Sequence, residues 1–185
     1  MILPQNIILV GFIASGKSHV GRVLSQRLDW PLIDVDEEIV EQQGKSIQAI
    51  FEKDGEAAFR EVERSLIADL CAGKGAVIAA GGGAFLDPDN RRLMLESGIV
   101  FCLSARAETI YARVRKDTGP GIAVRPLLAG NSPQQRIKTL LAQRAEAYSQ
   151  AHYMVQTDSL TPEQVAERIL QLCASDNQTQ VDSPH

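Results

Sequence analysis

Apolar positions along the chain follow two alternating periodicities. Five short runs are apolar on both sides of an extended backbone: Ile7–Val10, Pro31–Val35, Ala76–Ala80, Ile99–Leu103 and Tyr153–Gln156. Runs of this kind predict strands covered on both faces, as in a parallel sheet. Between them, apolar residues recur at steps of three and four. Lys17–Leu28 places Val20, Val23, Leu24 and Leu28 on one helical face, and Glu56–Cys71 does the same with Phe59, Val62, Leu66 and Leu70. Further helices are predicted over Pro88–Glu96, Ala107–Arg115, Pro133–Ala151 and Pro162–Cys173. Three of these begin on proline, whose missing N–H costs nothing in a first turn.

Alternating strands and helices predict an α/β fold, a three-layer α/β/α sandwich around a central five-stranded parallel sheet. Two stretches lack both periodicities. Residues 117–131 (DTGPGIAVRPLLAGN) are rich in glycine and proline and read as a lid loop between helices. The polar segment 175–185 reads as a disordered, frayed tail, leaving 1–174 as one folded domain.

Composition narrows the function rather than the fold. A chain of 185 residues suits one domain with a well-buried core. A formal charge of −4 gives no reason to expect a nucleic-acid or membrane-surface partner. Cys71, Cys102 and Cys173 are odd in number and far apart, neither a disulfide framework nor a metal-ligand cluster, which suits a reducing cytoplasmic setting. The early apolar run is broken by Gly11 and Lys17, so neither a signal peptide nor a membrane span is expected there.

The chemistry concentrates after the strands. Residues 11–18 read GFIASGKS and fit the phosphate-loop pattern G-x-x-x-x-G-K-[ST] with Gly11, Gly16, Lys17 and Ser18, between an apolar strand and an amphipathic helix. In such a loop, backbone N–H groups and a helix N-terminus cradle phosphate, the lysine reaches the β- and γ-phosphates, and the hydroxyl ligates Mg²⁺. Ala14 interrupts the loop and is expected to stiffen a position that does not need a left-handed backbone; His19 reads as a surface or packing residue. Asp34 and Asp36 alternate along a strand end, which would turn both to one face at the ligand crevice. They read equally as a metal-and-hydroxyl pair or as a helix N-cap with acidic first-turn residues. Arg60 and Glu63 form an i, i+3 pair that, on its own, is solvated decoration. Gly81, Gly82 and Gly83 close a strand; one glycine would suffice for a turn, so three favour close approach of a ligand. Arg144 falls on the apolar stripe Ile137, Leu141, Tyr148, and either meets an anion or snorkels at the stripe's edge.

Taken in order, these pieces resemble the shikimate kinase family of P-loop proteins. The resemblance runs from about Ile7 to Leu172 and rests on the phosphate loop, D-V-D, F-R-E-V-E, G-G-G, V-R-P-L-L and the arginine before a late tyrosine. It implies a P-loop kinase fold, with an acceptor-binding helical region about 36–63 and a lid about 117–131. It also implies ATP- and Mg²⁺-dependent phosphorylation of the 3-hydroxyl of shikimate, in aromatic amino-acid (chorismate) biosynthesis, by a monomer.

By the same resemblance, Gly11, Ala14, Ser15, Gly16, Lys17, Ser18 and His19 surround the nucleotide, and Ser18 and Asp34 serve the metal. Asp36 contacts shikimate hydroxyls and is the candidate base; Arg60 and Arg144 clamp its carboxylate, and Gly81, Gly82 and Gly83 line that pocket. Arg125 in the lid closes over the transferring phosphate, so Lys17, Asp36 and Arg125 form the catalytic set. The family's loop usually has glycine at Ala14, and its lid often has an arginine that packs on adenine, where Lys116 stands here. A related sugar-acid kinase, such as a gluconate kinase, and a non-catalytic nucleotide-binding module are the alternatives. No N-K-x-D guanine-reading segment is found, which argues against a switch GTPase.

Overall fold

A computed structural model describes residues 5–116 and 132–181, with side chains described as far as Ser175. Arg125 and the rest of 117–131 lie outside the described residues. In chain order the elements are β1 (Ile7–Val10), α1 (Lys17–Leu28), β2 (Leu32–Asp34), α2 (Val35–Gln43), α3 (Ile47–Lys53), α4 (Gly55–Ala72), β3 (Val77–Ala79), α5 (Pro88–Ser97), β4 (Ile99–Ser104), α6 (Ala107–Lys116), α7 (Pro133–Tyr148), β5 (Tyr153–Gln156) and α8 (Pro162–Val181), with a 3-10 turn at Ala84–Leu86. The five strands are all parallel, in the order β2-β3-β1-β4-β5.

Alternation along β1 divides the core. Ile8 and Val10 join Phe59, Leu66, Met94, Ile110 and Ile137 on one side of the sheet. Ile7 and Leu9 join Val20 and Leu24 of α1 and Val165, Ala166 and Ile169 of α8 on the other. The three layers therefore arise because each central strand carries apolar side chains up and down.

Asn6 sets the register. It is fully buried; its amide nitrogen donates to the carbonyls of Gly73 (2.9 Å) and Ser97 (3.2 Å), and its side-chain oxygen accepts from the Ala76 N–H (3.1 Å). One amide thus ties the starts of β3 and β4 to β1, fixing Ile7 opposite both Val77 and Ile99. The carboxyl ends of these strands then emerge together, where ligands bind in doubly wound sheets.

The structure departs from the sequence pattern at three places. The apolar spacing does not mark α2 and α3, which fall largely within the helical region about 36–63 that the resemblance implies, because they are short and bury little: Val35 and Ile39 in one, Ile50 in the other. Strand β2 stops at Asp34 rather than Val35, because Asp34 caps a helix that begins at once. Helix α8 continues to Val181, so 175–181 are helical where a frayed tail was expected. Extending a helix already nucleated on a packed segment costs little per residue. Among the described residues, no helix is long and apolar enough to cross a membrane.

Candidate active site at the carboxyl end of the sheet

Residues 11–16 turn sharply between β1 and α1. Gly11 (φ 136°) and Gly16 (φ 103°) both take backbone conformations that favour glycine. Ser15 N–H donates to the Phe12 carbonyl at 3.2 Å, closing a turn within the loop. Lys17 folds back over it, its Nζ donating to the carbonyls of Gly11 and Phe12, each at 3.0 Å. The ammonium is thus held at the loop it would serve.

Ala14 corrects the expectation made for it, since its φ is 57°, inside the left-handed region. An L-residue there carries a strain of roughly 1–2 kcal/mol. Ala14→Gly is therefore expected to stabilise the protein by about 0.5–1 kcal/mol after glycine's extra chain entropy is counted. That is a rise in Tm of about 1–4 °C for a domain of this size, readable by calorimetry. A fall in Tm would show that the alanine methyl's own contacts outweigh the strain.

Ser18 and Asp34 meet directly. Ser18 Oγ donates to Asp34 Oδ2 at 2.6 Å, while Asp34 Oδ1 accepts from the Asp36 N–H at 3.1 Å. Asp34 is thus both the N-cap of α2 and the partner of the phosphate-loop hydroxyl, so the two readings of the D-V-D segment are joined in one side chain. Asp36 sits in the first helical turn, not on an extended strand, and the alternation argument for its placement does not apply.

The three glycines after β3 form the seam between the phosphate loop and a cluster of charged side chains. A Cβ on Gly81 would lie 2.8 Å from Asp36 Oδ1 and 2.9 Å from Glu63 Oε1, so the two carboxylates converge on this Cα. A Cβ on Gly83 would lie 2.8 Å from an Arg60 terminal nitrogen. Gly82 faces the phosphate loop, its Cβ direction 3.6 Å from Ile13 N. Absent side chains at 81 and 83 are what let these groups come together.

Arg60 and Glu63 are not decoration. Arg60 Nη1 donates to Glu63 Oε2 at 2.7 Å, its guanidinium lies 5.2 Å from the Phe59 ring centroid, and Glu63 is 1% exposed. Burial pushes the Glu63 carboxyl up despite the opposing guanidinium, with the charges of Asp36 and Asp87 adding to the rise. Burial works against the half-buried Arg60 cation, yet the hydrogen bond and charge of Glu63, with Glu56, push Arg60 up. Burial decides for Glu63 because it lies deeper than its partner.

A carboxyl raised in the fold favours the native state below its unfolded value and loses that contribution as pH rises through its folded value. Compared with wild type, Glu63→Gln should therefore gain in relative stability as pH rises above the ordinary glutamate value of about 4.3. Urea unfolding of both proteins at several pH values checks this; a difference constant with pH would contradict it.

Arg144 is half-buried, set against the phosphate loop and the glycine seam. Its guanidinium lies 4.9 Å from the Phe12 ring centroid, and Nη1 donates to the Gly82 carbonyl at 3.0 Å. Tyr148 OH donates to the same oxygen at 2.8 Å, and burial holds its phenol above the ordinary value against the lowering effect of Arg144. Cys102 lies under this floor; burial pushes its thiol up to about 11 against the charge of Lys17, so it serves as an inert core residue.

On the other side of the loop lies a cleft of about 330 Å³, lined by Gly16, His19, Arg113, Lys116, Thr157 and Pro162 among others. His19 is exposed and contributes a wall of this cleft. The residue pattern left Arg113 and Thr157 unread. Arg113 stands three residues after Ile110, beside Val114 at the edge of an apolar stripe, the same signal that drew attention to Arg144. Thr157 directly follows a parallel strand, the position where ligand residues collect. Among the described residues, no group of three or more His, Cys, Asp or Glu side chains could hold a metal ion alone.

This arrangement has close counterparts. The profile of the family described as shikimate kinase matches residues 13–174. The chain belongs to the shikimate kinase family. A shikimate kinase from Thermodesulfovibrio yellowstonii is 39% identical over 90% of this chain and 93% of that protein. Among solved structures, a shikimate kinase from Acinetobacter baumannii in complex with shikimate is 38% identical, covers 94% of both chains and superposes with a TM-score of 0.85. A gluconokinase from Sinorhizobium meliloti superposes with a TM-score of 0.63 at 17% identity, a likeness of fold alone. Membership of the shikimate kinase family accounts for the five-stranded parallel sheet and for the phosphate loop and charged cluster sharing one edge of it.

Proposed function

We propose that this chain transfers the γ-phosphoryl group of ATP to the 3-hydroxyl of shikimate, giving shikimate 3-phosphate, ADP and a proton, a step of aromatic amino-acid biosynthesis. The carrying observation is the Gly81–Gly83 seam, with the phosphate loop on one side and Asp36, Arg60, Glu63 and Arg144 on the other. A nucleotide site alone would need none of that second set.

Lys17 neutralises the β- and γ-phosphates, and the amides at the start of α1 hold them. Ser18 and Asp34 fit a magnesium ion: the hydroxyl donates its proton to Asp34, which leaves its lone pairs for a hard cation, and Asp34 can accept from the cation's water. When bound, Mg²⁺ neutralises charge on the phosphates in transfer. Arg60 and Arg144 supply two cations for the carboxylate of the acceptor. Asp36 orients the acceptor hydroxyl and takes its proton, while Glu63 fixes the Arg60 fork. The transition state is loose, so alignment and charge neutralisation carry most of the acceleration. The cleft around Arg113, Lys116 and Pro162 receives the nucleoside part. By resemblance, Arg125 closes on the phosphate in transfer. The three free cysteines suit a reducing cytoplasmic enzyme, and we read it as a monomer.

A coupled assay of ADP release tests the assignment, with shikimate, gluconate and nucleoside monophosphates as separate acceptors. Turnover is expected with shikimate and lost in Lys17→Ala. Equal rates with gluconate, or a wild-type rate no higher than that of Lys17→Ala, would overturn it.

A further inference from the structure

Arg113 makes an unusual set of contacts for a side chain outside the phosphate-loop motif. From α6 its Nη1 donates to the carbonyls of Ala14 (3.2 Å) and Ser15 (3.3 Å) and to Thr157 Oγ1 (3.0 Å), and its Nη2 donates to the Thr157 carbonyl (2.6 Å). Thr157 Oγ1 also lies 3.2 Å from the Ser15 carbonyl. One guanidinium therefore spans the phosphate loop and the segment after β5, which are 142 residues apart at Ser15 and Thr157.

Two features of the loop call for such a hold. Ala14 occupies a left-handed backbone at φ 57°, a conformation that persists only where its surroundings enforce it. Peptide groups are planar and trans, so fixing a carbonyl fixes the opposite direction for the N–H of the next residue. Drawing the Ser15 carbonyl to Arg113 turns the Gly16 N–H away from that guanidinium. The Ser15 N–H is already engaged by Phe12, which leaves the amides from Gly16 onward for an anion.

We propose that Arg113 is a positioning residue for the phosphate loop: it grips the Ala14 and Ser15 carbonyls and holds the loop in its phosphate-receiving shape before any nucleotide arrives. This rests on the reading of the loop as the ATP site. The grip uses the geometry of the guanidinium fork, since four acceptors in different directions cannot be served by a point charge. It is distinct from any contact that Arg113 makes with a nucleoside in the adjoining cleft.

Magnesium tripolyphosphate separates these roles, because it carries the phosphates and no nucleoside. Binding of tripolyphosphate and of shikimate is measured by calorimetry on wild type, Arg113→Met and Arg113→Lys. Arg113→Met should weaken tripolyphosphate about tenfold or more, the loss expected for charge-assisted hydrogen bonds, and leave shikimate affinity within about twofold. Arg113→Lys keeps the charge and loses the fork, so it should recover only a small part of that loss. Unchanged tripolyphosphate affinity in Arg113→Met would confine the residue to nucleoside contact. Full recovery by lysine would reduce its role to charge, and a parallel loss of shikimate affinity would mean general loosening; each result overturns the proposal. If Arg113→Met does not fold, Thr157→Val removes one acceptor and should weaken tripolyphosphate about threefold, and no change would have the same force. Shikimate turnover by wild type tests the ATP-site reading separately, so failure of one does not pass for failure of the other.

Discussion

Asp36→Asn should lower kcat about 10²-fold, with the KM for shikimate nearly unchanged. Removing a positioned general base typically costs 10²–10⁴ in rate, and a loose phosphoryl transfer places the loss at about the lower end. Asparagine keeps the shape and can still hydrogen-bond a hydroxyl, but it cannot accept the proton. The same substitution removes a carboxylate charge that raises Glu63. The variant should therefore be somewhat more stable than wild type, the usual relation between a strained site and its activity. Steady-state kinetics with shikimate and a thermal melt together check both halves. A loss smaller than about threefold with normal KM would leave Asp36 only the task of orienting the hydroxyl.

Gly11→Ala should produce the largest loss of stability of any single methyl added in the loop. A Cβ at Gly11 would lie 2.3 Å from the Leu103 carbonyl oxygen, and the residue already sits at φ 136°. Both obstacles are backbone, so no side chain can swing aside. Overpacking of about 1–3 kcal/mol and a strained backbone of about 1–3 kcal/mol together give roughly 2–6 kcal/mol. Gly16→Ala provides the comparison, because its φ of 103° imposes strain while nothing lies within 4 Å of the new methyl. Urea denaturation of the two variants should rank Gly11→Ala well below Gly16→Ala. Equal midpoints would show that conformation alone, without the clash, sets the cost.

Much of this was legible in the residues because the strongest signals are periodic or chemical. Helix α1 begins and ends at Lys17 and Leu28 as the pattern predicts, since the phosphate-loop glycine stops one element and the apolar spacing defines the next. The phosphate loop, the D-V-D segment and the glycine triplet lie at the carboxyl end of the sheet because they follow strands, whereas Arg60 and Arg144 reach the glycine triplet from helices α4 and α7. Other features depend on partners distant in sequence. Nothing local marks Glu63 as buried, because it packs against Gly81, which follows β3 and is distant in sequence. The family's usual glycine at that position signals the left-handed turn at Ala14, but alanine itself argues against it. Arg113 is one charged residue among Arg113, Arg115 and Lys116; its place at the edge of the stripe sets it apart, but its partners at Ala14, Ser15 and Thr157 come only from the fold. The D-V-D segment misled in a different way: alternation assumes a strand, and a capping aspartate had already converted the segment to helix.

Asp34 has a thermodynamic consequence. Its two oxygens hold Ser18, on the nucleotide side, and the first turn of α2, which carries Asp36 on the acceptor side. Whatever changes the pull on one oxygen is felt by a carboxylate that also anchors the other. On the proposed reading of the two sites, any coupling carried through Asp34 is reciprocal by linkage: nucleotide changes acceptor affinity by the same factor as acceptor changes nucleotide affinity. On that reading, one carboxylate joins the hydroxyl of the phosphate loop to the turn that carries the candidate base.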